Sequence, residues 1–475
     1  MSGRHDSIGL EMRIEAGTER LIREIEAVAG ASNVRMGPAV EPYRWDALGS
    51  GRGYADFDRL SPSPFCAVRP GNTDEVASIV RLAAAHRTSI VPFGGGSGLM
   101  GGAVAVKPSV VVDLTRMDRI IRIDGEGLTA HVEAGTVLQS VNEALHEHGL
   151  MLGHDPWTVG IATVGGAIAT DSLGYRGARY GSMGQQVLAL TAVLPDGRVF
   201  SAGSAAKASV GPDLHRLLIG SEGTLGIVTE ATLRVFPLPE RQVFQALSFP
   251  SFESGFAAVL DIDRLMLEPA LLDFGESYSQ EGVEPPKLYL GFEGFAEGVA
   301  ACSARARVVC AERGGQALPP EEAEQFWEHR HDIGDRYAER RRTGMSRPQA
   351  PMGFDFVHVT LLASQVLGYR ERSLDIIRRN RVEPIEIGVW CRPQLVSVVV
   401  ASEANGDGRE RLSKSVDEML MLAQDLCGSM EYCHGVGLRL AHLMEREHGA
   451  GLEVLRAIKR ALDPQGIMNP GKLGL

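Results

Sequence analysis

Apolar positions recur at helical spacing near the start of the chain, where Leu21, Ile22, Ile25 and Val28 share one face and predict an amphipathic helix. From residue 43 to 64 the periodicity gives way to Gly, Asp, Ser and Pro, which predicts extended chain crossing the surface. Residues 65–70 read as a strand, and 72–87 as a helix opened by Asn72 or Thr73 with Val76, Ile79, Val80 and Ala83 facing inward. A further strand runs through Val91-Pro92-Phe93 and stops at glycines. Strands over 110–114, 120–123 and 128–132 alternate with turns, and 137–148 returns to helical period. Gly211-Pro212-Asp213 opens a short helix ending at Gly220, with proline at its start and glycine after its end. Past Pro237-Leu238-Pro239, strands over 243–249 and 288–292 alternate with helices over 252–265 and 300–313, and a charged helical run covers 321–342. The pattern is α+β. It divides into an N-terminal helical and extended segment (1–64), a first domain (65–239), a second domain whose sheet caps the first (240–427), and a segment returning to the first (428–475).

Composition narrows this. The 56 glycines in 475 residues exceed the usual share of about 7 per cent, and they cluster between 94 and 226, so that part of the chain is loop-rich. A net charge of −12, from 48 basic and 60 acidic residues, argues against a nucleic-acid surface and for small-molecule work. Cys66, Cys302, Cys310, Cys391, Cys427 and Cys433 form no C-x-x-C pair and no disulfide framework, as expected in a reducing cytoplasm. The first residues lack an apolar leader, and no run of eighteen apolar residues predicts a membrane span.

Chemistry enters at Pro92-Phe93-Gly94-Gly95-Gly96-Ser97-Gly98. Successive glycines leave amide N–H groups uncovered and permit positive φ, the requirements of an anion nest that can wrap a dinucleotide's pyrophosphate. Gly96 to Gly101 also satisfies G-x-G-x-x-G, with Asp113 beyond it, but that fingerprint needs a helix to open at the loop. The residues that follow, Ala103 to Asp113, are Val-rich and interrupted by Pro108, and read as turn and strand.

Three further segments follow the loop in order: Ala162-Thr163-Val164-Gly165-Gly166-Ala167-Ile168-Ala169-Thr170, then Gly220-Ser221-Glu222-Gly223-Thr224-Leu225-Gly226-Ile227, then the closing run from Asp463 to Leu473. With them, nearly the whole chain resembles the vanillyl-alcohol-oxidase superfamily of PCMH-type flavoproteins. The resemblance implies a two-subdomain FAD-binding domain over 65–239 and an α+β cap for substrate over 240–427. It implies that Pro92, Gly94, Gly95, Gly96, Ser97 and Gly98 hold the diphosphate, and that Asp155, Thr163, Gly165, Gly166 and Thr170 line the flavin. Glu222, Gly223 and Ile227 fall where relatives contact the adenine side and ribose, although Glu222 reads equally as a solvated turn acid. Because residues 93–102 contain no histidine, the FAD is expected to be noncovalent.

Glu431-Tyr432-Cys433-His434-Gly435-Val436-Gly437 resembles the His-Gly-x-Gly element of the same superfamily, whose histidine faces substrate. His434 is therefore the candidate base, an imidazole whose reference pKa near 6.5 suits a hydroxyl proton. His358 is either a lone cap-domain histidine or a second catalytic group. The H-x-x-G-D-G-N-x-H metal segment of some D-2-hydroxyacid dehydrogenases is absent, so no metal is expected. Arg330 or Arg336, within the arginine-rich run, would fix a substrate acid group through a bidentate guanidinium, unless that run is a solvated face.

The resulting expectation is FAD-dependent oxidation of a small hydroxyl-bearing substrate, a 2-hydroxy acid being favoured, with hydride passing to flavin N5 and electrons to an acceptor that no motif identifies. A homodimer is left open. One alternative is an alcohol without an acid group. Another is the redox-neutral exchange of alkyl-dihydroxyacetonephosphate synthases, which residues 211–237 resemble. Against the latter, Tyr432 and Cys433 replace two histidines and the strand over 395–400 has no tyrosine.

Overall fold

The computed structural model describes residues 17–49, 52–54, 56–60, 62, 64–203, 208–343, 352–403 and 406–475. The leader reading of the first residues lies outside these. Among them, 17–29 form a helix that buries Leu21 and Ile25, and Thr73–Ala85 forms a second, capped where the Asn72 side chain accepts the Glu75 N–H. Val76, Ile79, Val80 and Ala83 are all buried on its inner face.

Two sheets build the first half. The strands Pro64–Val68, Ser109–Asp113 and Ser89–Phe93 run parallel, with Val34–Met36 antiparallel on the edge. An antiparallel sheet orders Ile120–Asp124, Thr129–Glu133, Ile227–Arg234, Val187–Val193 and Val199–Gly203. One apolar cluster, including Val110, Val132, Val164 and Leu233, fills the space between them. No helix follows the glycine loop, whose exit leads through turns into Ser109–Asp113.

The second half carries a large antiparallel sheet in the order Gln316–Leu318, Arg241–Ser248, Lys287–Gly294, Leu271–Ser279, Glu383–Trp390, Leu395–Glu403 and Met352–Thr360. Strand alternation gives this sheet two characters. Val357, Val359, Ile387 and Val389 point into an apolar core shared with the helices Phe252–Arg264, Ala296–Glu312, Val366–Arg379 and Gly408–Asp425. The alternate positions, among them His358, Tyr289, Asp273 and Trp390, face the first half of the molecule.

Two sequence expectations change here. The segment over 43–64 is not surface-crossing extended chain: Asp46, Ala47, Leu48 and Arg52 are buried, and Asp46 accepts the Leu48 and Ala103 N–H groups. Short polar residues carried this segment inward because the groups they meet are themselves polar. The charged run over 321–342 is two helices, Glu321–His329 and Asp332–Thr343, broken at Arg330-His331.

Candidate active site

A cleft opens along the glycine loop, lined by residues of the first half and, from the C-terminal return, by Cys433 and His434. Pro92, Gly94, Gly95, Gly96, Ser97 and Gly98 line it on one side, Thr163, Gly165, Gly166 and Thr170 on another, and Glu222, Gly223 and Ile227 on a third. Bare backbone is obligatory here. A Cβ on Gly95 would stand 2.0 Å from the Ile161 carbonyl oxygen, and one on Gly94 would stand 2.3 Å from Thr163 Oγ1. Thr163 is fixed in turn because its side chain accepts the Gly166 N–H at the start of the helix Val164–Thr170. The loop is also held from the cap: the Tyr337 hydroxyl donates to the Gly96 carbonyl (2.7 Å), and Arg341 donates to the Trp45 and Pro42 carbonyls. A cradle of bare backbone that any side chain would fill, open along a cleft, fits the diphosphate of a dinucleotide.

His434 lines the same cleft. Its loop is set by two buried glutamates acting on backbone N–H groups. Glu222 accepts from Val436 (2.5 Å) and Gly437 (2.8 Å), and one Glu431 oxygen accepts from Tyr432, Cys433 and His434 (3.0, 2.7 and 3.0 Å). Gly435 and Gly437 have positive φ, and a Cβ on Gly437 would meet the Met100 carbonyl at 2.1 Å, so the turn requires glycine. Burial pushes both carboxyls up to about 7, although the N–H bonds pull them down. Glu222 is therefore a buried loop anchor rather than a solvated turn acid.

The His434 Nδ1 lies 3.2 Å from the Nδ1 of His358, which reaches down from the cap strand Met352–Thr360. Burial, the neighbouring His358 and the positive Arg52 hold His434 well below the usual histidine range, and burial with Arg52 lowers His358 to about 3. Both rings are neutral, one donating Nδ1–H to the other. Among the described residues, His358, Glu431 and His434 form the one group whose donor atoms, all within 4.8 Å, could close on a metal. Two facts weigh against a cation there. One Glu431 oxygen already accepts three N–H bonds, and Arg52 adds positive charge beside the trio.

Other predicted residues fall elsewhere. Asp155 does not line the cleft; it is the hub of a buried polar cluster, 2.9 Å from Arg330 Nε and 2.8 Å from His331 Nε2, and although burial raises its carboxyl, the His331 hydrogen bond and the charges of Arg330 and Arg176 hold it down at about 2. Arg330 is half-buried and stacks on Trp327 at 3.9 Å. Arg336 is exposed on the helix Asp332–Thr343, outside the cleft, because the buried positions of that helix are Gly334 and Tyr337. Sequence reading missed Asp46, which lines the cleft, Tyr337 and the buried Lys472, which donates to the Val104 carbonyl. Asp46 and Tyr337 sit in no motif, whereas Lys472 lies within the closing run, where nothing local marks it as buried.

Parallel and antiparallel sheets flank a glycine cradle, with a histidine-bearing sheet beside it, a setting for a dinucleotide cofactor that the family comparisons identify as FAD. Residues 64–203 match the FAD binding domain family, and 238–473 match the C-terminal domain of FAD linked oxidases. The chain is 30% identical over 440 residues to D-2-hydroxyglutarate dehydrogenase of Xanthomonas citri pv. viticola, covering 87% of this chain and 90% of that protein. It is 29% identical over 449 residues to glycolate oxidase subunit GlcD of Bacillus subtilis, covering 91% and 94%. A structure of p-cresol methylhydroxylase with substrate bound superposes with a TM-score of 0.79 at 18% identity, over 97% of each chain, and so shares the fold. The chain belongs to the FAD-linked oxidase family. Among the described residues, no helix is long and apolar enough to cross a membrane.

Proposed function

We propose that the chain oxidises the CH–OH group of a 2-hydroxy acid held between the cradle and the cap sheet. The observation that carries this reading is a neutral His434 in the cleft wall, backed by a second neutral histidine. Relatives named for glycolate, D-lactate and D-2-hydroxyglutarate favour the acid. Bound in the cleft, FAD supplies the acceptor for the hydride leaving the substrate carbon. The residues lining the cradle would hold it.

His434 takes the hydroxyl proton. Its Nδ1 is engaged with His358, and among the described residues no side chain bonds its Nε2, which leaves that atom to accept. Burial depresses the basicity of this imidazole yet keeps it unprotonated before substrate arrives. The neighbouring His358, orienting His434 through Nδ1, acts as a positioning residue. Of the two arginines Arg330 is half-buried while Arg336 is exposed, and to meet the acid group Arg330 has to exchange its Asp155 contact for the substrate. Six unpaired cysteines fit a reducing cytoplasm as its location.

The test is the visible spectrum of purified holoprotein, followed anaerobically as 2-hydroxy acids and simple alcohols are added. Bleaching by an acid but not by its alcohol analogue is the expected result, and admitting air then asks whether dioxygen serves as acceptor. A yellow protein that no hydroxyl compound bleaches would overturn the reading.

A further inference from the structure

The cap sheet presents a wall beyond His434 that this reaction leaves unused. Asp273 stands directly between Tyr289 on one neighbouring strand and Trp390 on the other. Two pairs further along, on the same face, Gly275 faces Gly388, so neither strand puts a side chain of its own there, and the Glu386 carboxylate lies 3.6 Å from where a Gly275 Cβ would stand. The Trp390 ring lies 5.6 Å from Tyr175 and 6.4 Å from Tyr432. Tyr432 is in turn 5.2 Å from His358, whose ring is 4.8 Å from His434, so the wall is continuous with the reacting end.

Its polar groups are unmet. Among the described residues the Asp273 carboxylate has no hydrogen bond or ion pair, and neither has Glu386, four residues back from Trp390 on the same strand and facing the same way. The Tyr432 hydroxyl oxygen is buried without a partner. Asp273 is part-buried and Glu386 exposed, and desolvation together with the nearby Glu386 charge lifts the Asp273 carboxyl to about 8. A buried hydroxyl without a partner, as at Tyr432, is costly unless a ligand completes it.

We propose that Asp273 binds a hydrogen-bond donor, hydroxyl or ammonium, at the far end of a substrate whose body is flat and apolar. Resting on the 2-hydroxy acid reading above, this makes the substrate an aromatic hydroxy acid tipped by a donor rather than a dicarboxylic one. Aromatic faces at Tyr175, Tyr289, Trp390 and Tyr432 suit a flat body or a cation, and Asp273 and Glu386 accept from the tip. With Arg330 assigned to the substrate's own acid group, a second carboxylate would meet like charge at Asp273 and Glu386.

Four probes that differ at one position test this: mandelate, 4-hydroxymandelate, 4-(aminomethyl)mandelate and 4-carboxymandelate. Each is titrated anaerobically into FAD-loaded protein, with binding read from the shift of the flavin band and turnover separately from its bleaching. One donor-bearing probe is expected to bind about tenfold tighter than mandelate, and 4-carboxymandelate about tenfold weaker. Which donor wins distinguishes hydroxyl from ammonium. In Asp273→Asn, checked as folded by its yellow holo spectrum, the donor preference shrinks to within about threefold. Tyr432→Phe, which removes the unpartnered hydroxyl, weakens the donor-bearing probe alone. Equal or tighter binding of 4-carboxymandelate, a donor preference unchanged in Asp273→Asn, or no band shift with any probe overturns the proposal. Donor-dependent binding without bleaching upholds it and sinks the oxidation reading instead; bleaching by all four without preference does the reverse.

Discussion

Removing the Glu222 carboxylate should loosen the loop that carries His434, by an amount the structure bounds. Glu222 is 6% exposed and accepts the backbone N–H groups of Val436 and Gly437. Truncation to Ala orphans two buried donors at about 1–3 kcal/mol each, hence about 2–6 kcal/mol in all, a large part of a typical stability of roughly 5–15 kcal/mol. Glu222→Gln keeps an acceptor oxygen but turns an NH₂ toward one of those N–H groups, a loss of about 1 kcal/mol. The sign of the pH dependence separates this from generic damage. Burial raises the folded carboxyl to about 7, above an ordinary 4.5, so the wild-type contribution is full below about 4.5 and is lost as pH rises through 7. Glutamine has no such loss. Its stability relative to wild type should therefore rise by up to about 3 kcal/mol between pH 4.5 and 8, turning the penalty into a gain. The assay is denaturant unfolding of both holoproteins at fixed excess FAD, followed by tryptophan fluorescence at several pH values. A Gln penalty that does not vary with pH, or an Ala variant as stable as wild type, would refute the reasoning.

Four further outcomes are expected. His434→Asn should lower the rate of flavin bleaching by about 10²–10⁴-fold while leaving the protein yellow, as read by anaerobic stopped flow. Because His434 is held well below 6.5, the acid limb of the wild-type rate profile should fall below that pH; a limb at or above 6.5 would contradict the neutral pair. Gly95→Ala, whose methyl meets the Ile161 carbonyl at 2.0 Å, should yield protein without bound FAD by absorbance. Arg330→Lys should raise KM for the acid with kcat nearly unchanged, since a point charge replaces a fork.

What could be read from the sequence was whatever a local residue type makes obligatory. Gly94 to Gly98, Gly165-Gly166 and Gly435-Val436-Gly437 announce backbone that must approach something closely, and each lines the cleft or shapes its loop. Helical and strand periods likewise located Thr73–Ala85, Phe252–Arg264 and the cap strands Arg241–Ser248, Lys287–Gly294 and Leu395–Glu403 to within a few residues, but not the other strands of that sheet. What could not be read was long-range pairing. Asp155 stands beside a cleft-lining segment in sequence, yet its oxygens are claimed by Arg330 and His331, 175 and 176 residues away. Arg341, one of several arginines in a charged run, is distinguished only by the Trp45 and Pro42 carbonyls it meets. The segment over 43–64 looked polar enough for the surface because its buried charges find partners far off, as Arg52 does at Asp355.

The same long-range pairing explains why the C-terminal return carries the proposed base. Residues 467–469 hydrogen-bond to Ile90 at the strand entering the glycine loop, and Asn469 donates to the carbonyls of Gly102 and Glu222. Lys459 ties Thr224, Asp463 and Met468 together from the helix Ala450–Leu462. The cradle and the His434 loop therefore share Glu222: its backbone serves the closing segment and its carboxylate serves Val436 and Gly437. His358, by contrast, arrives on the cap. The histidine pair thus forms only when the cap sheet is seated on the first half, which couples the orientation of the base to docking of the substrate wall. Arg52 sits at that seam, stacked on Phe356 at 3.9 Å and paired with Asp355, where its charge helps keep both imidazoles neutral. A loosened seam would free His434 to rotate and protonate before any contact with substrate was lost.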